Sequence, residues 1–277
     1  MLVEMPKKRK RVAFPRTTNA KPFVEKGLLN LFKRVIIKIS GEQLAGGSES
    51  EHFNPEFLKR LVTEIDEIMR KGCQVCLVVG GGNIWRGRDA ESSMDKAKAH
   101  HMGMLATVIN AIYLTEQFRT HTGRKAIVMT PFDVNGFTTH YNLDATRSYI
   151  EEGVIPIFAG GSGQPFLSTD TIVAIRACEL NVDAVLYGKT VNSVYDKDPR
   201  KNPDARRMKT VSYSTVFRDN LDVADIAALS ITRNAGLPSV VFGVAIEGAL
   251  LAACEGKEGV EKVGGTYIAS DVEDVYY

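Results

Sequence analysis

The sequence lacks several features that would have classified it at once. No apolar run approaches the roughly 18–20 residues that a membrane-crossing helix needs. Cysteine is scarce, at four in 277 residues. Cys73-Gln74-Val75-Cys76 has the spacing of a redox or zinc pair, but no second close pair completes a zinc site. The pair also opens an expected strand, where side chains three apart point to opposite faces. It reads as two buried thiols in a reducing compartment. Internal repeats and low-complexity segments are missing as well. The basic run Pro6-Lys7-Lys8-Arg9-Lys10-Arg11-Val12 is followed by no apolar h-region, so it is not expected to be a secretory signal. It would pass as a nuclear-localisation run, but a solvated tail is the preferred reading.

Apolar residues make up 44% and charged residues 25%, ordinary values for a globular chain with a good core. Residues 1–30 hold eight Lys/Arg against two Glu, a net of +6, which leaves the rest at −4 within the total of +2. The basicity therefore sits in an irregular leader. A main domain that binds nucleic acid is not expected.

From Lys33 onward, apolar runs alternate with helical patterns. Strands are expected at 34–39, 74–79, 125–130, 154–159, 183–187, 239–242 and 265–269. Helices are expected from Asn54-Pro55 to Gly72, and over about 94–119, 142–152, 171–180, 212–219, 223–235 and 247–254. The segment 188–211 reads as a polar connection. Strands separated by helices imply βαβ units and a mainly parallel sheet covered on both faces, with ligands at the carboxyl ends of its strands.

Two glycine-rich turns fall at such ends. Gly80-Gly81-Gly82-Asn83-Ile84-Trp85-Arg86-Gly87 follows one strand, and Gly160-Gly161-Ser162-Gly163-Gln164-Pro165-Phe166-Leu167-Ser168-Thr169-Asp170 another. Glycine lets backbone N–H groups come close to phosphate. The common nucleotide fingerprints nevertheless fail. Gly41 and Gly46 have the Walker glycine spacing, but Gly47-Ser48 stand where Lys-Ser/Thr is required. Gly80 and Gly82 fit a dinucleotide loop until Trp85 takes the third glycine position.

Three further residues stand out. Lys38, near a strand end with Ser40-Gly41-Glu42 after it, can reach a phosphate in the following turn; alone it would be an ordinary strand-edge lysine. Arg86 offers a guanidinium fork for phosphate oxygens, or is a surface arginine. Asp170 opens a helix, where it is a normal cap-region residue that can also help hold Mg²⁺.

Together these motifs resemble the bacterial uridylate (UMP) kinases of the amino-acid kinase superfamily. The likeness rests on Lys38-Ile39-Ser40-Gly41-Glu42, Gly80-Gly81-Gly82-Asn83 with Arg86-Gly87, and His101-Met102-Gly103-Met104-Leu105-Ala106-Thr107-Val108. It extends to Gly163-Gln164-Pro165-Phe166-Leu167-Ser168-Thr169-Asp170 and Val194-Tyr195-Asp196-Lys197-Asp198-Pro199, and so covers about residues 33–269. It implies an α/β fold, a three-layer αβα sandwich with a central, mainly parallel sheet. The implied division is one domain over 31–277, with an acceptor-nucleotide part near 31–180 and an ATP part near 181–277. The implied reaction is transfer of the γ-phosphoryl of ATP to UMP in pyrimidine nucleotide biosynthesis, with Mg²⁺ entering on the nucleotide phosphates. A cytoplasmic homohexamer built from dimers, with no membrane or specific nucleic-acid partner, completes the expectation. The apolar 94–119 helix is either a dimer surface or a buried core helix.

By the same resemblance, Lys38, Ile39, Ser40, Gly41, Gly82, Arg86, Lys189, Tyr195 and Asp198 serve ATP. Gly81, His100, Ser162, Gly163, Gln164, Pro165, Phe166, Leu167, Ser168 and Thr169 serve UMP. Lys38, Asp170 and Asp225 are the catalytic set, Asp225 orienting a lysine. Such a set suits phosphoryl transfer, which needs positive charge and donors around the travelling group more than a strong base.

The chain departs from the family pattern in three places. His100 precedes His-Met-Gly-Met where an Asp is usual, and an imidazole accepts one hydrogen bond where a carboxylate accepts several. The 163–170 turn usually reads with Asn, Phe and Thr where Gln164, Leu167 and Ser168 stand. Tyr187-Gly188-Lys189-Thr190-Val191-Asn192-Ser193 replaces a stretch with two lysines, leaving a displaced Lys189. These departures keep two alternatives in view, a kinase of another small acceptor and a non-catalytic nucleotide-binding homologue.

Overall fold

The computed structural model describes residues 31–46, 51–86 and 91–277. The leader, Gly47 and Gly87 lie outside the described residues. The elements run β1 (Arg34–Ile39), α1 (Gly41–Leu44), α2 (Pro55–Arg70), β2 (Gln74–Val79), α3 (Lys96–Thr122), β3 (Ala126–Thr130), β4 (Thr139–His140), α4 (Leu143–Glu151), β5 (Ile155–Phe158) and α5 (Thr169–Glu179). They continue with β6 (Ala184–Lys189), β7 (Val194–Tyr195), β8 (Arg207–Ser212), α6 (Tyr213–Arg218), α7 (Ile226–Asn234), β9 (Ser239–Gly243), α8 (Ala249–Cys254), α9 (Lys257–Lys262), β10 (Thr266–Ala269) and β11 (Val275–Tyr276).

Among the described residues, eleven strands form one sheet in the order β11-β8-β10-β9-β6-β1-β2-β5-β3-β4, with β7 paired to β8. The centre, from β9 through β6, β1, β2, β5 and β3 to β4, is parallel; β9–β10, β8–β11 and β7–β8 are antiparallel. Period-two alternation sends Val35, Ile37 and Ile39 of β1 into one core and Ile36 into the other. The first core takes the apolar stripes of α2, α3 and α8. The second takes Ile150 of α4, Val173 and Ala177 of α5, Val216 of α6 and Leu229 of α7. The result is the expected three-layer αβα sandwich.

The local signals behave as their chemistry requires. Asn54 caps α2 by accepting from the Phe57 amide at 3.0 Å, with Pro55 in the first turn. Leu58, Leu61, Val62, Ile65 and Ile68 line its buried face. Full burial of each such side chain stabilises by about 1.5–3 kcal/mol relative to exposure. Cys73, just before β2, and Cys76 within it are both buried and free, one in each core.

The expectation for 188–211 needs correcting. Instead of a plain polar connection, the segment holds β7 and most of β8. Arg207-Met208-Lys209-Thr210-Val211-Ser212 alternates polar with apolar residues at the outer part of the sheet, and only Met208, Thr210 and Val211 are buried. α1, β4, α9 and β11 are also additions; each has six residues or fewer, too short for periodicity to register.

Candidate functional site

Lys38 follows Ile36 onto the α5 face of the sheet, at the carboxyl end of β1. Its strand partner in register is Tyr187 of β6, so Lys189, two residues further, emerges on the same face. α5 begins opposite them. Ser168 caps it, its Oγ accepting from the Asp170 and Thr171 amides at 3.0 and 3.3 Å. This delivers Asp170 to Lys38, with Nζ 3.0 Å from Oδ1 and both side chains less than a fifth exposed. The positive end of the α5 dipole adds to the lysine charge. Lys189 lies 3.6 Å from Asp222 Oδ1 and 3.3 Å from the Asp222 carbonyl. Burial pushes its ammonium below the usual lysine range, and the attraction of Asp222 and Asp170 opposes this. Two lysines and a helix N-terminus thus face one point.

On one side of that point opens a cleft of about 740 Å³, with Lys38, Ser40, Lys189, Tyr195, Asp198 and Asp222 among its walls. That volume is in the range of small-molecule sites. The Ser40 amide donates to Gln43 Oε1 at 3.0 Å, fixing the turn out of β1. Hydrogen bonds from the Arg200 side chain, then its amide, hold the Asp198 carboxyl below its usual range. Ile39 is fully buried and offers only backbone to this side. Arg86 lies beside the cleft, 3.0 Å from Glu42 Oε1, with Nε donating to the Gly82 carbonyl at 3.0 Å.

Gly41 is where the two turns at the ends of β1 and β2 meet. A Cβ there would stand 2.5 Å from the Gly82 amide nitrogen and 2.9 Å from the Gly80 carbonyl. At Gly81 a Cβ would come within 2.8 Å of the Gly103 carbonyl and 3.0 Å of the Thr107 amide nitrogen. Gly81 therefore serves the packing of the turn on α3.

On the other side lies the turn after β5. Gly160, Gly161 and Gly163 have φ of +77°, +58° and +76°, and Phe166 takes φ +70°. A bulky residue in that region is strained. Phe166 is mostly exposed, and its ring meets the His100 ring edge-on with centroids 4.7 Å apart. Ser162 Oγ accepts from the Gln164 amide at 3.0 Å. Gln164, Leu167 and Ser168 are exposed; Pro165 and Thr169 are partly covered.

Asp225 touches no lysine among the described contacts. It caps α7, Oδ1 accepting from the Ala228 amide at 2.6 Å. Its Oδ2 accepts from Thr171 Oγ1 at 2.8 Å and from the Ser168 hydroxyl. It ties the start of α5, and so Asp170, to the start of α7.

Sequence reasoning missed the bracket that holds both glycine turns. Asn110 of α3, fully buried, donates to the Gly80 carbonyl at 2.6 Å and to Asn83 Oδ1 at 2.7 Å. Thr107, one turn earlier, accepts from the Gly160 amide at 2.7 Å. Their signal was two polar residues in the apolar part of a helix. The Tyr187 hydroxyl, beside Lys38, is buried without a hydrogen-bond partner among the described residues, and burial holds its phenol well above the usual range. No group of three or more His, Cys, Asp or Glu among the described residues is placed to hold a metal ion.

The fold and this lysine centre define a class. The family model described as the amino acid kinase family matches residues 33–243, and the chain belongs to that family. Its place within it is among the uridylate kinases. It is 40% identical to the uridylate kinase of Psychromonas ingrahamii over 221 residues, 79% of this chain and 88% of that protein. The crystal structure of UMP kinase from Bacillus anthracis matches with a TM-score of 0.83 and 35% identity, covering 89% of this chain and 99% of that one. UMP kinase from Ureaplasma parvum matches with a TM-score of 0.78 and 31% identity over 86% of this chain and 98% of that one.

Proposed function

We propose that this enzyme transfers the γ-phosphoryl group of ATP to UMP, giving ADP and UDP. One observation carries the reading. A nucleotide-sized cleft and a glycine turn open on opposite sides of Lys38 and Asp170. ATP occupies the cleft, with Tyr195 and Asp198 in its wall and its phosphates directed at Lys38 and Lys189. The acceptor sits on the turn 160–169, its phosphate facing the start of α5. Lys38 and Lys189 then neutralise the charge of the travelling phosphoryl group. The N-terminal amides of α5 are further donors that need no reorganisation. Asp170 holds the Lys38 ammonium in place, and Asp225 holds the helix start that carries Asp170.

Mg²⁺ brought in with ATP needs only one or two protein carboxylates beside the nucleotide phosphates. Asp170 is the carboxylate at the centre that fits. When bound, the ion supplies charge neutralisation on the phosphate oxygens.

The same proposal includes assembly. α3 shows Met102, Leu105, Ile109 and Ile112 with 39–50% exposure, spaced as one helical face. That face would pair two copies, and dimers would build the hexamer that the resemblance implies. No described helix is long and apolar enough to cross a membrane. A cytoplasmic place in pyrimidine nucleotide synthesis belongs to the proposal too.

The test is coupled measurement of ADP release over UMP, CMP, AMP and GMP at saturating ATP. UMP is expected to give the highest kcat/KM, with the purine monophosphates near background. Equal rates with the purines, or no release with any acceptor, would contradict the reading.

A further inference from the structure

The wall of the ATP cleft is held from behind by a segment to which nothing above assigns a role. Tyr195, Asp196, Lys197 and Asp198 line the cleft at the start of the β7–β8 connection. The connection closes on itself through one residue. The Arg206 amide donates to Asp196 Oδ1 at 2.9 Å, Arg206 Nε donates to Oδ2 at 3.2 Å, and the Asp196 amide donates to the Arg206 carbonyl at 3.1 Å. With both carboxylate oxygens and its amide committed to Arg206, Asp196 goes where Arg206 goes.

The other face of Arg206 is covered by Tyr276. The guanidinium carbon stands 4.0 Å from the centroid of that ring, close enough for a cation–π contact. Tyr276 is fixed in turn. β11 pairs with β8, placing Tyr276 opposite Met208. On one side of it, Thr210 Oγ1 donates to the Glu273 carbonyl at 2.6 Å and the Ser212 amide donates to Asp274 Oδ1 at 2.7 Å. On the other side, the Tyr277 amide donates to the Arg207 carbonyl at 3.1 Å, and the Tyr277 hydroxyl donates to the Gly265 carbonyl at 2.7 Å. The ring is therefore an anchored platform, and the Arg206 side chain, 65% exposed, runs between it and Asp196.

We propose that Tyr276 is a positioning residue for the ATP side of the site, acting through Arg206 on Asp196 and the cleft wall that Asp196 belongs to. This deepens the proposed function and rests on ATP occupying that cleft. The acceptor turn at 160–169 and the Lys38–Asp170 pair make none of these contacts. The contribution therefore falls on nucleotide affinity and spares the acceptor and the chemical step.

The experiment compares full-length Tyr276→Ala and Tyr276→Phe with the natural chain, measuring kcat, KM for ATP, KM for UMP and the melting temperature. Tyr276→Ala is expected to raise KM for ATP roughly two- to fivefold, the ratio an exposed cation–π contact supports. KM for UMP and kcat stay unchanged. Tyr276→Phe keeps the ring face and is expected to behave like the natural chain. Arg206→Met should raise KM for ATP by a similar factor, with no further rise in the Tyr276→Ala/Arg206→Met double variant. An unchanged KM for ATP in Tyr276→Ala, an equal rise in both KM values, or a Tyr276→Phe as impaired as Tyr276→Ala would overturn the inference. If Tyr276→Ala does not fold, Tyr276→Leu decides in its place, since it keeps apolar bulk on β11 and removes only the aromatic face under Arg206: a raised KM for ATP with KM for UMP unchanged supports the inference, and an unchanged KM for ATP overturns it. Direct titration of ATP into the natural chain separates the two readings. No ATP binding there would defeat the proposed function, whereas binding that Tyr276→Ala leaves untouched would defeat only this inference.

Discussion

Lys38→Ala is expected to lower kcat by on the order of 10²–10³, the usual loss when one preorganised group that stabilises transition-state charge is removed. The ammonium sits at the carboxyl end of a central strand, 3.0 Å from Asp170 and mostly out of water. A charge held there acts on the phosphoryl group in a lower effective dielectric than solvent provides. Truncation also leaves Asp170 facing the reaction without its nearest cation, so the variant loses an attraction and gains a repulsion. Folding survives, because β1 keeps its neighbours on both sides and the fully buried Val35, Ile36, Ile37 and Ile39. Steady-state kinetics with a melting curve on the same preparation checks this. Near-normal turnover in a well-folded Lys38→Ala protein would remove Lys38 from the centre.

Gly41→Ala is expected to damage both stability and turnover. The added methyl would sit 2.5 Å from the Gly82 amide nitrogen and 2.5 Å from Asn83 Oδ1. Neither can retreat freely. Gly82 is backbone, and Asn83 is tied to Asn110 and to the His52 carbonyl. The turns after β1 and β2 must therefore part. Overpacking of this kind costs about 1–3 kcal/mol. A displacement near 1 Å at a reacting centre can cost on the order of 10² in rate. A Gly41→Ala protein with unchanged melting temperature and kcat would show that the two turns are not a single rigid unit.

Much of the fold was legible because its signals are local and redundant. β1, β2, β5, β6 and β9 are short apolar runs ended by glycine or a charge, and parallel strands buried on both faces read that way. The Asn54-Pro55 start of α2 has one physical meaning, and the structure shows it. The outer strands β7 and β8 were not legible, because their residues are half polar and their pairing is settled by partners far along the chain. At the site, a lysine near a strand end and an aspartate at a helix start pointed to Lys38 and Asp170, and the structure brings these two together. The contacts of Asp225 could not be read from spacing, since they depend on how α5 and α7 pack. The same holds for Asn110 and Thr107, whose partners are the glycine turns on the far side of a helix. Phe166 at φ +70° is a further case, because no sequence pattern asks a phenylalanine to adopt that backbone.

If two nucleotides meet at Lys38, the γ-phosphoryl group passes between them and carries its label with it. The most direct measurement follows the label from γ-³²P ATP in the presence of UMP and Mg²⁺, separating the nucleotides at early times. Label is expected in UDP, formed in step with ADP, and almost none of it in the Lys38→Ala protein. Label appearing as inorganic phosphate, or remaining in ATP while UMP is bound, would contradict it.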